Sequence, residues 1–136
     1  MALRLQCGID LDTHRGEIAA GNLSSLRGCP FVLGSAEDIG GRIGRGLLRS
    51  SGVSPVSKAT SENVETLLAL CEQGVGACFC PENLLHTALS PEQLAHLHIL
   101  PLCSEASYPI CFGYLSRSYP WSVLSEFIRI AREQTA

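Results

Sequence analysis

The clearest periodic pattern of apolar residues lies in residues 60–81, TSENVETLLALCEQGVGACFCP. Its apolar positions recur with the spacing i, i+3, i+4, i+7: Val64, Leu67, Leu68 and Cys71. This spacing predicts a helix with one apolar face. Gly74 stands where a helix commonly ends, and the apolar run 75–80 predicts a short buried strand that Pro81 terminates.

Two hydroxyl residues precede that helix. Thr60 and Ser61 are predicted to end a strand and to cap the helix, because hydroxyl oxygens accept hydrogen bonds from the N–H groups of a first helical turn. Glu65 falls in that turn, where a carboxylate suits the helix dipole. The segment therefore predicts a strand–helix–strand unit, and the strand ends of such units are typical sites for small ligands.

The rest of the chain alternates between strand-like and helix-like patterns. Strands are predicted at 3–9, 30–33, 56–60, 97–102 and 109–115. Helices or helical turns are predicted at 38–51, 82–89, 90–94 and 121–134. The polar stretch 10–22 is predicted to be a loop, and 23–26 a short turn. This order predicts an α/β domain with a mixed, mostly parallel sheet flanked by helices.

The helix predicted at 38–51 has an unfavourable composition. Ser35 or Asp38 is predicted to cap it. Four glycines lie within it, and each costs about 1 kcal/mol relative to alanine in a helix interior: Gly40, Gly41, Gly44 and Gly46. Their spacing matches neither GxGxxG nor a phosphate-binding loop with Lys and Ser or Thr, so they do not indicate a nucleotide site.

Composition and charge narrow the functional classes. A chain of 136 residues with 46% hydrophobic residues can form one domain, or one lobe of a larger one. The net charge of −3 argues against direct nucleic-acid binding, which favours a basic surface. The sequence has no apolar run near the roughly 18 residues that a membrane span requires, and its first residues lack a signal-peptide pattern. These features predict a cytoplasmic protein.

The cysteines are predicted to be free thiols and not part of a metal site or a catalytic site. Seven cysteines is an odd count, and most of them lie in apolar runs, which predicts buried thiols in a reducing compartment. Cys78 and Cys80, with Cys71 and His86, have metal-ligand residue types, but no C-x2-C pair accompanies them. No local signature marks a Cys–His nucleophile pair. We therefore predict no metal, no cofactor and no enzymatic activity.

The segment 62–85, ENVETLLALCEQGVGACFCPENLL, resembles the signature of the effector-binding domain of LysR-type transcriptional regulators. In that family a helix carrying Glu-Thr and two apolar residues leads through glycines into a strand that ends in proline. The matching positions are Glu65, Thr66, Leu67, Leu68, Gly74, Gly76 and Pro81. Upstream, residues 23–33 resemble the family's entry to its second lobe, and Arg117 and Phe127 match its C-terminal end.

This resemblance implies a periplasmic-binding-protein-like lobe within residues 1–136. Residues 3–9 would be the strand that crosses between lobes, 23–102 the second lobe, and 108–136 the returning strand with the C-terminal helix. The DNA-binding domain and most of the first lobe would lie outside this chain. We therefore expect a truncated piece or fragment, which contacts DNA only through the missing N-terminal domain.

The candidate effector site follows from the predicted strand ends. Ser35, Thr60 and Ser61 would line one sheet edge, each hydroxyl preceding a helix N-terminus that favours an anion. Phe79 and Pro81 would form an apolar wall. Effectors in this family are often small carboxylates, so the resemblance implies an anionic effector. The alternative is that these hydroxyls serve only as helix caps.

The functional reading is a ligand-sensing, oligomerising domain in which an effector closes two lobes and changes how subunits pair. Without a first lobe to cover them, Trp121, Leu124 and Phe127 would face water, which predicts self-association. The alternative is a lobe of a solute-binding protein unrelated to transcription. An enzyme of the related two-lobe type, such as a dehydratase or deaminase, would need acid–base residues at strand ends that offer only hydroxyls.

Overall fold

The computed structural model describes residues 1–4, 9–103, 106–109, 111, 113 and 121–135. Its strands are β1 (Ala2–Arg4), β2 (Pro30–Gly34), β3 (Val56–Ser61) and β4 (Leu97–Ile99). Its helices are α1 (Leu11–Ala19), α2 (Ile39–Ser50), α3 (Val64–Glu72), α4 (Glu82–Ala88), α5 (Pro91–Leu94) and α6 (Ser122–Thr135). A short 3-10 helix, Ser24–Leu26, precedes β2 where a turn is predicted.

The strands form a mixed sheet. β2 and β3 pair in parallel, and β1 pairs with β4 in the antiparallel direction. The segment between α3 and α4 joins these pairs, because Ala77 bridges Phe31 in parallel and Cys78 bridges Ala2 in the antiparallel direction. The spatial order is therefore β3, β2, residues 77–78, β1, β4, and of these segments β1 alone runs in the opposite direction. The α/β fold class predicted from the sequence is confirmed.

Helices cover both faces of the sheet. Phe31 and Leu33 of β2 face an apolar cluster that contains residues of α1 and α2, whereas Val32 faces a cluster that contains residues of α3 and α4. All three side chains are buried. Burial on both faces is the usual state of a parallel strand between two helical layers. The compact apolar run PFVL is the sequence signal of that state.

The loop predicted at 10–22 is wrong, because residues 11–19 form helix α1. Asp10 caps it: one carboxylate oxygen accepts a hydrogen bond from the Thr13 N–H and the other from the Thr13 hydroxyl. Leu11 and Ile18, seven positions apart, are buried in the core. Two apolar positions are too few to give a visible helical period, and the helix depends on burying them.

Two predicted boundaries also change. The cap of α3 is Asn63 rather than Thr60 or Ser61, because β3 continues to Ser61 before the turn. The strand predicted at 75–80 is limited to bridges at residues 77 and 78. For α2, the cap is Asp38, one of the two predicted residues.

The glycines of α2 let the helix approach the sheet closely. A Cβ on Gly41 would collide with the Ser35 carbonyl oxygen, and a Cβ on Gly44 would lie 2.5 Å from the Phe79 ring. These two positions are buried. The low helix propensity of glycine is therefore offset by packing that no larger residue permits.

The C-terminal predictions are only partly covered by the described residues. Helix α6 lies where a helix is predicted. The strand predicted at 109–115 and Arg117 fall largely or wholly outside the described residues. The division into a crossing strand, a second lobe and a returning strand stays a prediction.

Candidate functional site

The carboxyl ends of β2 and β3 bring the predicted hydroxyl residues to one sheet edge. In the parallel register, Thr60 is opposite Leu33 and Ser61 is opposite Gly34, and Ser35 follows directly after β2. Ser35 and Ser61 are half-buried, whereas Thr60 is exposed. The three hydroxyl residues therefore lie at the same sheet edge, as the sequence predicts.

Two of these hydroxyls support the local turns. The Ser35 hydroxyl oxygen accepts a hydrogen bond of 3.3 Å from the Glu37 N–H, and the Ser61 hydroxyl oxygen accepts one of 3.1 Å from the Asn63 N–H. Such bonds are common where a strand turns into a helix. Each hydroxyl keeps its own proton and so can still donate one hydrogen bond.

The helix N-termini at this edge are already capped by side chains. A carboxylate oxygen of Asp38 accepts hydrogen bonds from the N–H groups of Gly40 at 3.0 Å and Gly41 at 3.2 Å. The Asn63 side-chain oxygen likewise accepts from the N–H groups of Glu65 at 2.8 Å and Thr66 at 3.2 Å. Two of the N–H donors at each of these helix ends are therefore occupied by a side chain of the protein itself.

A cavity of about 160 Å³, which we call the α2 cavity, opens beside this edge. It lies between the first turns of α2 and α3 and the segment 79–81. Its apolar lining includes Ile43, Val64, Leu67, Phe79, Pro81 and Leu84. Phe79 and Pro81 are thus in the wall of a cavity, while Ser35, Thr60 and Ser61 are not among its lining residues. Gly34, which is paired with Ser61, links the hydroxyl edge to the cavity.

A second cavity of about 290 Å³ adjoins the first. It extends toward Met1 and Leu100 at the β1–β4 side of the sheet. Five of the described residues line both cavities: Cys80, Pro81, Leu102, Ala106 and Tyr108. The two cavities therefore form one groove that passes the segment 80–81.

The charged groups along this groove are few. Among the described residues, Asp38 is the one charged residue that lines the α2 cavity. Glu82 and Met1 line the second cavity, and the Met1 amino group donates a hydrogen bond of 3.0 Å to the Leu100 carbonyl. Neither lining, within the described part of the chain, contains a lysine, arginine or histidine side chain. The α2 cavity is apolar with one negative group.

Sequence reasoning named Phe79 and Pro81 but missed most of the lining. Asp38 was recognised only as a helix cap and Val64 only as an apolar helix position, and Ile43 was named only as part of the helix predicted at 38–51. Tyr108 was assigned only to the start of the returning strand that the family resemblance implies. A half-buried aliphatic residue at the start of a helix looks the same in sequence whether it packs against a core or lines a cavity.

Three thiols lie together beside the groove. Hydrogen bonding to the sulfurs of Cys71 and Cys80, together with burial, raises the pKa of Cys78, so Cys78 stays protonated near neutral pH. The same hydrogen bond lowers the pKa of Cys80. Six described cysteines are free thiols, and most are at least half-buried, but Cys111 is exposed, contrary to expectation. In the described residues no group of metal-ligand side chains is arranged to hold an ion.

A family model described as the LysR substrate binding domain matches residues 14–136. The chain belongs to this family. Neither the comparison with curated proteins nor the comparison with solved structures gave a match. The resemblance inferred from residues 62–85 is confirmed, and with it the periplasmic-binding-protein-like fold.

Membership of the LysR substrate binding domain family assigns the chain to the effector-binding part of transcriptional regulators. Such regulators are not enzymes. The match favours the regulator over the alternative of a solute-binding lobe unrelated to transcription. Among the described helices, none is both long and apolar enough to cross a membrane.

Proposed function

We propose that this LysR-type domain binds a small effector in the α2 cavity, at the carboxyl edge of the sheet. The observation that carries the proposal is the position of the cavity: it lies at the ends of parallel strands and between the first turns of α2 and α3. Ligand sites in α/β sheets are concentrated at this kind of edge. Binding there would couple the effector to both helices.

The five residues predicted from the sequence would have two different roles. Phe79 and Pro81 would contact the body of the effector, since both line the cavity. The other three residues would form a polar rim at the carboxyl ends of β2 and β3: Ser35, Thr60 and Ser61. Their hydroxyls would donate hydrogen bonds to parts of the effector that lie outside the cavity. An acidic effector stays a prediction from the sequence, and these hydroxyls are the groups available to its carboxylate.

We also propose that the effector acts by closing this lobe on a second one. In that arrangement residues 23–102 would form one wall of a cleft between the two lobes. The effector would stabilise the closed state by the difference between its binding free energies for the closed and the open state. DNA contact would belong to a domain outside this chain, which agrees with the net charge of −3.

Self-association is the second part of the proposed function. On α6 and just before it, Trp121 is 72% exposed and Phe127 is 51% exposed, and Leu124 on the same helix is half-buried. Exposed apolar residues in such density commonly mark an interface. We expect Trp121, Leu124 and Phe127 to contact a second subunit. Sedimentation of the chain at several concentrations tests this, and a monomer at every concentration would contradict it.

The effector proposal is tested by a thermal-shift screen of small organic molecules on three variants. Ile43→Phe should fill the α2 cavity and abolish the shift that a hit gives with the unmodified chain. Ile39→Phe is the matched control, because Ile39 lies one turn earlier on α2 and outside the lining. Thr60→Ala, at an exposed position, should weaken the response without disturbing the fold. A hit that Ile43→Phe leaves unchanged would contradict the proposed site.

A further inference from the structure

We propose that the effector of the α2 cavity is a compact one-ring molecule that carries no negative charge, either neutral or an amine, and that Asp38 accepts a hydrogen bond from it. This inference rests on the proposed effector site and adds the chemical class of the ligand. It differs from the acidic effector that the sequence predicts.

The α2 cavity is large enough to hold one aromatic ring. Its volume of about 160 Å³ is close to that of an engineered apolar cavity of roughly 150 Å³ that binds benzene. The walls are also suited to a ring. Phe79 is held in place by stacking on Phe31, with ring centroids 6.0 Å apart and planes 5° apart. Tyr108 and the aliphatic side chains of Val64 and Leu67 line the same space.

The charge of the cavity determines which ring compounds fit. Asp38 is the charged lining residue, and no cationic side chain in the described lining offsets it. One of its oxygens, Oδ2, is occupied by the Gly40 and Gly41 N–H groups. Its other oxygen, Oδ1, has no hydrogen bond to any described residue and remains an acceptor. An ammonium or hydroxyl group on the ligand would satisfy it.

A carboxylate has no comparable side-chain partner in the described lining of the cavity. Two backbone donors at the start of α2, the Gly40 and Gly41 N–H groups, are bonded to Asp38, and two at the start of α3, the Glu65 and Thr66 N–H groups, are bonded to Asn63. The hydroxyls of Ser35, Thr60 and Ser61 lie outside the lining. A ligand carboxylate inside the cavity would therefore lie against apolar walls, beside the like charge of Asp38 and away from the rim hydroxyls, which disfavours binding there.

The test compares three probes of the same size and different charge: benzylamine, benzyl alcohol and benzoate. Each is titrated at fixed ionic strength and near-neutral pH into the complete isotope-labelled chain, and amide shifts of Gly40, Gly41 and Leu67 are followed by NMR. We expect benzylamine and benzyl alcohol to shift these amides with apparent affinities at least about tenfold tighter than that of benzoate. Asp38→Asn keeps a good helix cap but removes the negative charge, so it should reduce the preference for benzylamine and benzyl alcohol over benzoate. Glu37→Gln, a neighbouring carboxylate outside the lining, should not.

The outcomes separate the two proposals. If benzoate shifts the cavity amides as strongly as benzyl alcohol does, the charge inference is wrong and the proposed site stands. If Asp38→Asn leaves the preference unchanged, Asp38 is not the acceptor and the inference is likewise wrong. If none of the three probes shifts these amides, both the charge inference and the proposed site are wrong.

Discussion

Helices α2 and α3 flank the same cavity but are stabilised in different ways. α3 has three buried residues in a regular apolar stripe, Leu67, Leu68 and Cys71, and contains no glycine. α2 contains four glycines, and two of its three buried residues are glycines. The sequence of α3 is therefore sufficient to predict a helix, whereas α2 depends on its fit against β2 and Phe79.

The largest effect in this comparison should come from removing bulk from α3. Leu68 is fully buried in the cluster that α3 shares with α4 and β2. Leu68→Ala leaves a cavity, and we expect it to lower the free energy of unfolding by about 2–5 kcal/mol. Urea denaturation followed by circular dichroism measures this loss. Ala69→Ser, at an exposed position of the same helix, is the control and should change stability little.

Adding bulk to α2 should give the next largest effect. Gly41→Ala would place a Cβ against the Ser35 carbonyl oxygen and within 2.8 Å of Gly34 backbone atoms. Because backbone atoms cannot move aside cheaply, we expect the free energy of unfolding to fall by about 1–3 kcal/mol. The same denaturation experiment applies. An unchanged or higher stability would show that α2 does not approach the sheet as closely as described.

The two caps provide a smaller test. Asn63→Ala removes the acceptor for the Glu65 and Thr66 N–H groups and should cost about 0.5–2 kcal/mol of stability. Ser61→Ala removes an acceptor for a single N–H group outside the helix and should cost less. Comparing the urea midpoints of the two variants decides between the observed cap and the one predicted from sequence. A larger loss in Ser61→Ala would reverse the assignment.

The smallest effect should have the opposite sign. Gly46 is an exposed glycine in the interior of α2, and a Cβ there would meet no atom within 4 Å. Gly46→Ala should therefore raise stability, by up to about 1 kcal/mol, by favouring the helical backbone. Gly46→Ala and Gly41→Ala make the same substitution in the same helix, but only Gly41 packs against other backbone atoms. The difference between their stability changes therefore separates the low helix propensity of glycine from its role in packing. A loss of stability in Gly46→Ala would mean that this position also makes a close contact.

The hydroxyl edge of the candidate site could be predicted because parallel strands end at one edge. Once β2 and β3 are recognised, Ser35, Thr60 and Ser61 must lie near each other. The cavity itself could not be predicted. It depends on how far α2 stands from α3, and on where segments distant in sequence, such as that of Tyr108, return to the sheet.

The sequence by itself determined the α/β order, helix α3, strand β2 and membership of the LysR substrate binding domain family. These features depend on local periodicity and on a contiguous motif, which are visible without long-range contacts. Only the tertiary structure decided that residues 11–19 are helical, that Asn63 rather than Ser61 caps α3, and that the glycines of α2 contact the sheet. Each of these depends on which atoms meet across the fold, because the local sequence permits more than one conformation there.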